Sequence, residues 1–168
     1  MVLKLFLIIS SFYFIPIPGG KSLYDITKKR ADKEMSKFWQ DDEYTLVRVA
    51  LPNQRGIELY SVNLENLIPT SYVLFDEAPS KVDTFVYMVI FNVDGVIEKV
   101  SVLLYKENYG GEIASKRFLR QFKGKSNGQN MKFNQDIDGI SGATLSVQSI
   151  THAVKNNSIA FSKLIKEL

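Results

Sequence analysis

The sequence contains no cysteine and only one histidine, His152, among its 168 residues. Without thiols the chain has no disulfide, iron–sulfur cluster, thiolate zinc site or thiol nucleophile, and it lacks the cysteine that a bacterial lipoprotein anchor needs. A single histidine also excludes a metal centre built from several imidazoles. Any chemistry must therefore come from hydroxyls, carboxylates, amines or a bound cofactor.

The chain also lacks a strong charge of one sign. Its 21 basic and 18 acidic residues leave a formal net charge of +3, and the excess is spread along the sequence. A nucleic-acid partner is not expected, because such proteins concentrate basic residues in one patch or stripe. The apolar fraction of 45% and the charged fraction of 23% are ordinary for a single globular domain.

The N-terminus carries the longest apolar stretch. Lys4 precedes a run from Leu5 to Ile17, which prolines and glycines then end. The run is shorter than the ~20 residues that a membrane-spanning helix needs, which favours a secretory signal. No A-x-A pattern precedes Lys21, so an uncleaved anchor is the alternative. We expect residues 1–20 to be a signal peptide or anchor and the domain to be extracytoplasmic, in the periplasm or cell envelope.

The clearest local pattern is a β-hairpin. Residues 84–93 and 96–105 are two apolar, β-branched and aromatic runs joined by Asp94-Gly95. An Asp-Gly pair between such runs predicts a two-residue turn in which both central residues adopt positive φ. Further strands are predicted over residues 44–51, 57–62 and 72–75.

Helical patterns flank these strands. They predict helices over residues 22–39, 112–122, 144–156 and 158–168, with a break near Asn156-Asn157 and a surface loop over 123–134. Because few of the strands are linked by helical crossovers, we predict an α+β domain with a mostly antiparallel sheet packed against helices.

A loop rich in glycine and hydroxyls precedes the helix predicted to begin at residue 144. Residues 138–144 read Asp-Gly-Ile-Ser-Gly-Ala-Thr. Free N–H groups and the helix dipole make such a loop a natural anion site. The alternative is that Ser141 or Thr144 only caps the helix and that Gly142 relaxes a tight turn. The helix is predicted to bury Leu145, Val147, Ile150 and Val154.

The segment resembles the flavinylation motif of the FMN-binding domain family, which includes the flavin-carrying subunits of sodium-pumping NADH:quinone reductase and of the Rnf complex. The family pattern is Asp, two residues, then Ser/Thr-Gly-Ala-Thr, often with a hydroxyl residue two positions later. It is matched by Asp138, Ser141, Gly142, Ala143, Thr144 and Ser146. The resemblance implies that a flavin transferase reads Asp138 and esterifies the FMN phosphate to Thr144. It also implies cofactor contacts from Ser141, Gly142, Ala143 and Leu145.

The resemblance extends upstream to about residue 84. The hairpin is followed by Glu107-Asn108-Tyr109-Gly110-Gly111, where the commoner family loop has Thr and then Pro or a small residue in place of Asn108 and Tyr109. It implies that Glu107, Gly110 and Gly111 lie at the cofactor, where glycines let the backbone approach a flat ring. Tyr105 or Tyr109 is a candidate for stacking on that ring. Residues 84–168 are thus predicted to be an FMN-binding module, preceded by an N-terminal helix and strands over 21–83.

The function that the resemblance implies is that of an electron carrier. It would hold covalent FMN outside the cytoplasm and pass electrons between membrane or envelope redox partners, rather than act on a small substrate of its own. The alternative is a non-redox envelope binding module, in which the Ser-Gly-Ala-Thr loop is only a helix cap.

Overall fold

A computed structural model describes residues 21–40, 43–51, 56–64 and 68–167. The predicted signal peptide or anchor, residues 1–20, lies outside the described residues. Within the described ranges, no helix combines the length and the apolar character needed to cross a membrane.

Five strands form one antiparallel sheet whose spatial order is the chain order. They are β1 (Thr45–Val49), β2 (Glu58–Asn63), β3 (Ser71–Pro79), β4 (Thr84–Asn92) and β5 (Ile97–Leu104). The sheet confirms the predicted α+β class. The strand predicted over 72–75 is longer than expected, because β3 pairs with β4 along its whole length.

The hairpin between β4 and β5 is confirmed, but its turn differs from the predicted one. The Asn92 carbonyl accepts the Gly95 N–H at 3.1 Å, and the Asn92 side chain accepts the N–H groups of Asp94 and Val96 at 3.0 and 2.9 Å. Gly95 has φ +79°, whereas Asp94 is not in the positive-φ region. Because the Asn92 side chain holds the turn, only one residue needs the left-handed conformation.

Helices cover both faces of the sheet. Helix α1 (Leu23–Phe38) is N-capped by Ser22, the first residue of the predicted range, and packs Ala31 and Met35 into a core on one face. Helix α3 (Thr144–Leu164) covers the opposite face. Strand β4 lies between the two cores and is buried on both faces, which explains its continuous apolar sequence.

The helix predicted over 112–122 is wrong as a continuous element. The structure has a 3₁₀ turn (Gly111–Ala114), a short helix α2 (Lys116–Leu119) and a second 3₁₀ turn (Arg120–Phe122). Ser115 separates the first 3₁₀ turn from α2 with extended backbone, φ −68° and ψ 139°. Its hydroxyl accepts the Phe118 N–H at 3.4 Å. The predicted apolar side is still inward, since Ile113, Phe118 and Phe122 are buried.

The predicted break near Asn156-Asn157 is also wrong, because α3 is continuous through both residues. Asn157 is only 5% exposed, and its amide donates to Asp76 Oδ2 at 2.8 Å and to the Tyr87 hydroxyl at 2.7 Å. These bonds tie the middle of the helix to β3 and β4. Leu145 departs from the predicted burial too: it is 58% exposed, while Val147 is buried.

Candidate functional site

The loop before α3 is held in place by its backbone. The Asp138 N–H donates to Gln121 Oε1 at 2.7 Å, and the Ala143 N–H donates to the Ile140 carbonyl at 3.1 Å. Gly142 has φ +82° and nothing within 4 Å of the position that a Cβ would take. This glycine therefore serves the backbone conformation and leaves open space beside the helix end.

No side chain caps the start of α3. Its N-cap residue is Ala143, without a capping hydrogen bond. Within the part of the chain that the structure describes, the N–H groups of Thr144, Leu145 and Ser146 have no acceptor. The interpretation of Ser141 or Thr144 as a simple helix cap is therefore not supported.

Helix α1 shows what a satisfied helix start looks like in this chain. Ser22 Oγ accepts the Asp25 N–H at 3.0 Å. The buried Glu58 carboxylate accepts the N–H groups of Leu23 and Tyr24 at 2.8 and 3.1 Å. An anion thus already occupies the start of α1, whereas the start of α3 is open to one from solution.

The motif residues divide into exposed and buried ones. Ser141, Gly142 and Thr144 are exposed, while Ala143 and Ser146 are only 3% and 4% exposed. The Thr144 hydroxyl is consequently accessible at the open end of the helix. The Ala143 side chain packs in the core and so holds the end of the loop that precedes α3 in place.

Tyr105 joins the upstream loop to the start of α3. Its hydroxyl donates to the Tyr109 carbonyl at 2.8 Å and shares a hydrogen bond of 3.1 Å with Ser146 Oγ. Gly110 has φ +83°, and a Cβ there would lie 2.5 Å from the Tyr105 hydroxyl oxygen and 3.4 Å from Ser146 Oγ. The two halves of the predicted site, Gly110 and the Thr144 motif, are therefore brought together. The exposed Gly111 follows directly.

Glu107 is bound to the turn between β3 and β4. Its Oε1 accepts a short hydrogen bond from the Ser80 hydroxyl and the N–H groups of Val82 and Asp83 at 2.8 and 3.0 Å. The Ser80 hydrogen bond, helped by those of the two backbone groups, lowers the pKa of the Glu107 carboxyl. This side chain closes a turn, and its predicted contact with a cofactor stays a prediction.

The two candidate stacking tyrosines have different environments. The Tyr105 ring is half-buried and packs against Phe85 with 5.8 Å between ring centroids. Tyr109 is 84% exposed. Since the Tyr109 carbonyl is linked through Tyr105 to Ser146, the Tyr109 backbone lies close to the start of α3. Of the two tyrosines, Tyr109 is therefore the more exposed.

Sequence reasoning missed the pairing of Tyr105 with Ser146. The sequence does contain a signal for this pairing, because the motif has a hydroxyl residue two positions after Thr144. Its role could not be inferred from the motif alone. The structure gives it a role: Ser146 is the point at which the upstream loop is fastened to the helix.

Comparison with known proteins adds two findings. Residues 81–157 match the family model of the FMN-binding domain. The fold is similar to the crystal structure of the C subunit of Na⁺-translocating NADH-quinone reductase from Parabacteroides distasonis, with 16% sequence identity and a TM-score of 0.54, over 87% of this chain and 98% of that one. At this identity the likeness shows a shared fold. No curated protein matches the sequence.

Proposed function

Since residues 81–157 match the FMN-binding domain, we propose that the chain is an extracytoplasmic electron-transfer flavoprotein with FMN linked through a phosphodiester to Thr144. The observation that carries the proposal is the exposed Thr144 at the uncapped start of a 21-residue helix. A phosphodiester keeps one negative charge. The open N–H groups and the positive end of the helix dipole stabilise that charge.

The chain's own residues would shape the rest of the site. Gly142 keeps the space beside Thr144 free of a side chain. Tyr109 and Leu145 are exposed, and the Tyr109 backbone lies near the start of α3, so these two side chains would offer apolar surface to the isoalloxazine. When bound, FMN supplies the electron chemistry, and the protein supplies attachment, orientation and electrostatics.

Attachment at this position requires a flavin transferase as a partner. Asp138 is exposed, and its backbone is fixed by Gln121. It therefore presents an accessible carboxylate at a fixed spacing along the chain from Thr144. A residue that the transferase recognises needs both features. The accessible Thr144 hydroxyl is the group that would be esterified.

The position of the proposed attachment point supports the role of carrier over that of an enzyme. Thr144 and its exposed neighbours lie at the surface, where a membrane or envelope redox partner approaches without entering a pocket. The likeness in fold to a subunit of an NADH-quinone reductase supports this role. The apolar run from Leu5 to Ile17 supports export or membrane attachment.

The test is the intact mass of the full chain produced together with a flavin transferase. We expect a yellow protein whose colour survives denaturing electrophoresis and whose mass exceeds that of the polypeptide by FMN minus water. Thr144→Val should abolish the gain, because no hydroxyl remains to be esterified. The matched control Ser149→Ala removes a hydroxyl from the same helix outside the motif and should keep it.

Two outcomes would contradict the proposal in different ways. A colourless protein of unmodified mass beside an active transferase would favour the non-redox binding module. A mass gain that survives Thr144→Val would place the flavin on another residue.

A further inference from the structure

The outward face of α1 carries a row of cations that the flavin site does not use. Lys29, Arg30, Lys33 and Lys37 are exposed, and their spacing of three or four residues puts them on one face of the helix. Together with Glu34 they line a shallow cleft of about 370 Å³. We call these four cationic side chains the basic stripe.

Glu34, the carboxylate in this cleft, is bound mainly to the sheet. Its Oε2 lies 2.9 Å from Lys99 Nζ on β5, and its Oε1 lies 3.9 Å from Lys37 Nζ. Burial acts to raise the pKa of Glu34, but the hydrogen bond and charge of Lys99, with Lys37 and Arg30, bring it below its ordinary value. Glu34 therefore stays ionised and anchors α1 to β5, and of the four stripe cations only Lys37 lies within 4.0 Å of it.

The other stripe cations face solvent. Among the described residues, no carboxylate lies within 4.0 Å of the charged groups of Lys29, Arg30 or Lys33. Ile26, one turn before Arg30 on the same face, is 45% exposed. An apolar side chain beside a basic helical face is typical of helices that lie on membranes, because the cations meet the phosphates while the apolar group enters the interface.

We propose that the basic stripe binds the surface of a bilayer that contains anionic phospholipids, with α1 lying along the membrane. Charge complementarity favours this partner, since each cation near such a surface adds to its attraction. Where the apolar run from Leu5 to Ile17, just upstream of α1, is retained as an anchor, it keeps α1 close to the bilayer. Ile26 favours lipid over an acidic protein, for which a basic face alone would suffice.

This docking orients the molecule. Helices α1 and α3 pack on opposite faces of the sheet. With α1 on the lipid, the sheet lies between the bilayer and α3, so Thr144 would meet the part of a membrane or envelope partner that projects into the aqueous compartment. The proposal does not depend on the flavin, and it applies equally to a chain that carries none.

The test uses the full chain reconstituted into vesicles of phosphatidylcholine alone or mixed with phosphatidylglycerol. A brief acetylation with a water-soluble reagent, read by mass spectrometry, gives the reactivity of individual lysines. We expect Lys29 and Lys33 to react at least about fivefold more slowly with the anionic vesicles than with phosphatidylcholine alone. High salt should restore their reaction rates. Lys116 and Lys123, exposed on the far side of the sheet, are internal controls whose rates should not change.

Paired variants separate the stripe from net charge. Arg30→Gln combined with Lys37→Gln should reduce the protection of Lys29 and Lys33, whereas Arg117→Gln combined with Arg120→Gln removes the same charge elsewhere and should leave it intact. Equal rates in both kinds of vesicle, or slowing that includes Lys116 and Lys123, would overturn the proposal. Protection of Lys29 and Lys33 by inorganic phosphate in the presence of phosphatidylcholine vesicles would indicate a free-anion site and would also overturn it. An equal loss of protection in both paired variants would do the same.

Discussion

At the scale of single residues, Gly110 is a position of the candidate site where positive φ and close contact coincide. It has φ +83°, and a Cβ there would lie 2.5 Å from the Tyr105 hydroxyl oxygen. Gly124 has φ +81° but nothing within 4 Å of its Cβ position. Both glycines therefore have a positive φ, and they differ in the atoms that surround their Cβ positions.

Replacing these glycines by alanine should separate the two effects. Gly124→Ala should lower the free energy of unfolding by about 1 kcal/mol, the cost of a side chain in the left-handed region. Gly110→Ala should lower it by roughly 1–3 kcal/mol more, because the Tyr105 hydroxyl must give up hydrogen bonds to fit the methyl group. Urea unfolding of both variants measures the difference. Equal losses in the free energy of unfolding would contradict a destabilising contact with the Tyr105 hydroxyl.

Tyr109 leads to a prediction about the flavin ring. If the isoalloxazine of the flavinylated protein lies against this side chain, the electron-rich phenol quenches flavin fluorescence, and Tyr109→Leu should raise the fluorescence yield. Val82→Ala is a suitable control, because Val82 is also 84% exposed and carries no ring. An unchanged yield in Tyr109→Leu would move the ring elsewhere on the surface.

At the scale of elements, a buried polar group of α3 reaches the sheet beside the apolar packing. Asn157 donates to Asp76 on β3 and to Tyr87 on β4. The Tyr87 hydroxyl also donates to Asp76 Oδ2 at 2.7 Å. Burial and the nearby Asp76 carboxylate raise the pKa of Tyr87 well above its ordinary value, so this phenol stays protonated as a donor.

Asn157→Ala should therefore destabilise the fold by about 1–3 kcal/mol, since it leaves buried polar groups with fewer partners. The neighbouring Asn156 is exposed, and its side chain hydrogen-bonds only to His152 among the described residues. Asn156→Ala should change stability by less than about 0.5 kcal/mol. Chemical denaturation of the two variants tests this contrast, and similar losses would show that the network contributes little.

At the scale of the whole molecule, the match to the FMN-binding domain begins in the turn between β3 and β4. The two strands pair from Ser71 with Asn92 to Pro79 with Thr84. The core under α1 likewise joins Ala31 and Met35 to β4 and β5. The predicted segments 21–83 and 84–168 therefore share one sheet and its cores.

A chain of residues 84–168 alone should not fold cooperatively, because β4 would lose its neighbour on one edge and the cover of one face. Thermal unfolding followed by circular dichroism should show a broad change, against a sharp transition for the full chain. Production together with residues 21–83 should restore the sharp transition. A sharp transition for the fragment by itself would mean that the module is autonomous.

Local patterns in the sequence determined the β4–β5 hairpin, helix α1, the antiparallel α+β class and the start of α3 at Thr144. Each depends on neighbours within a few residues, such as Asp94-Gly95, so the information lies close in the chain. The tertiary structure alone decided that α3 runs through Asn157, whose partners are 81 and 70 residues away. It also decided that Tyr105 meets Ser146 across 41 residues.

The same distinction applies to the candidate site. Residues 138–144 were identified from the sequence, because a motif is a local pattern of residue types. Whether its hydroxyls cap the helix was open, since that depends on geometry, and the structure leaves the N–H groups of α3 without a protein acceptor among the described residues. The sequence by itself therefore determined the position of the proposed attachment point. Only the packing of the upstream loop against Ser146 decided what surrounds it, because that contact joins segments with no local pattern in common.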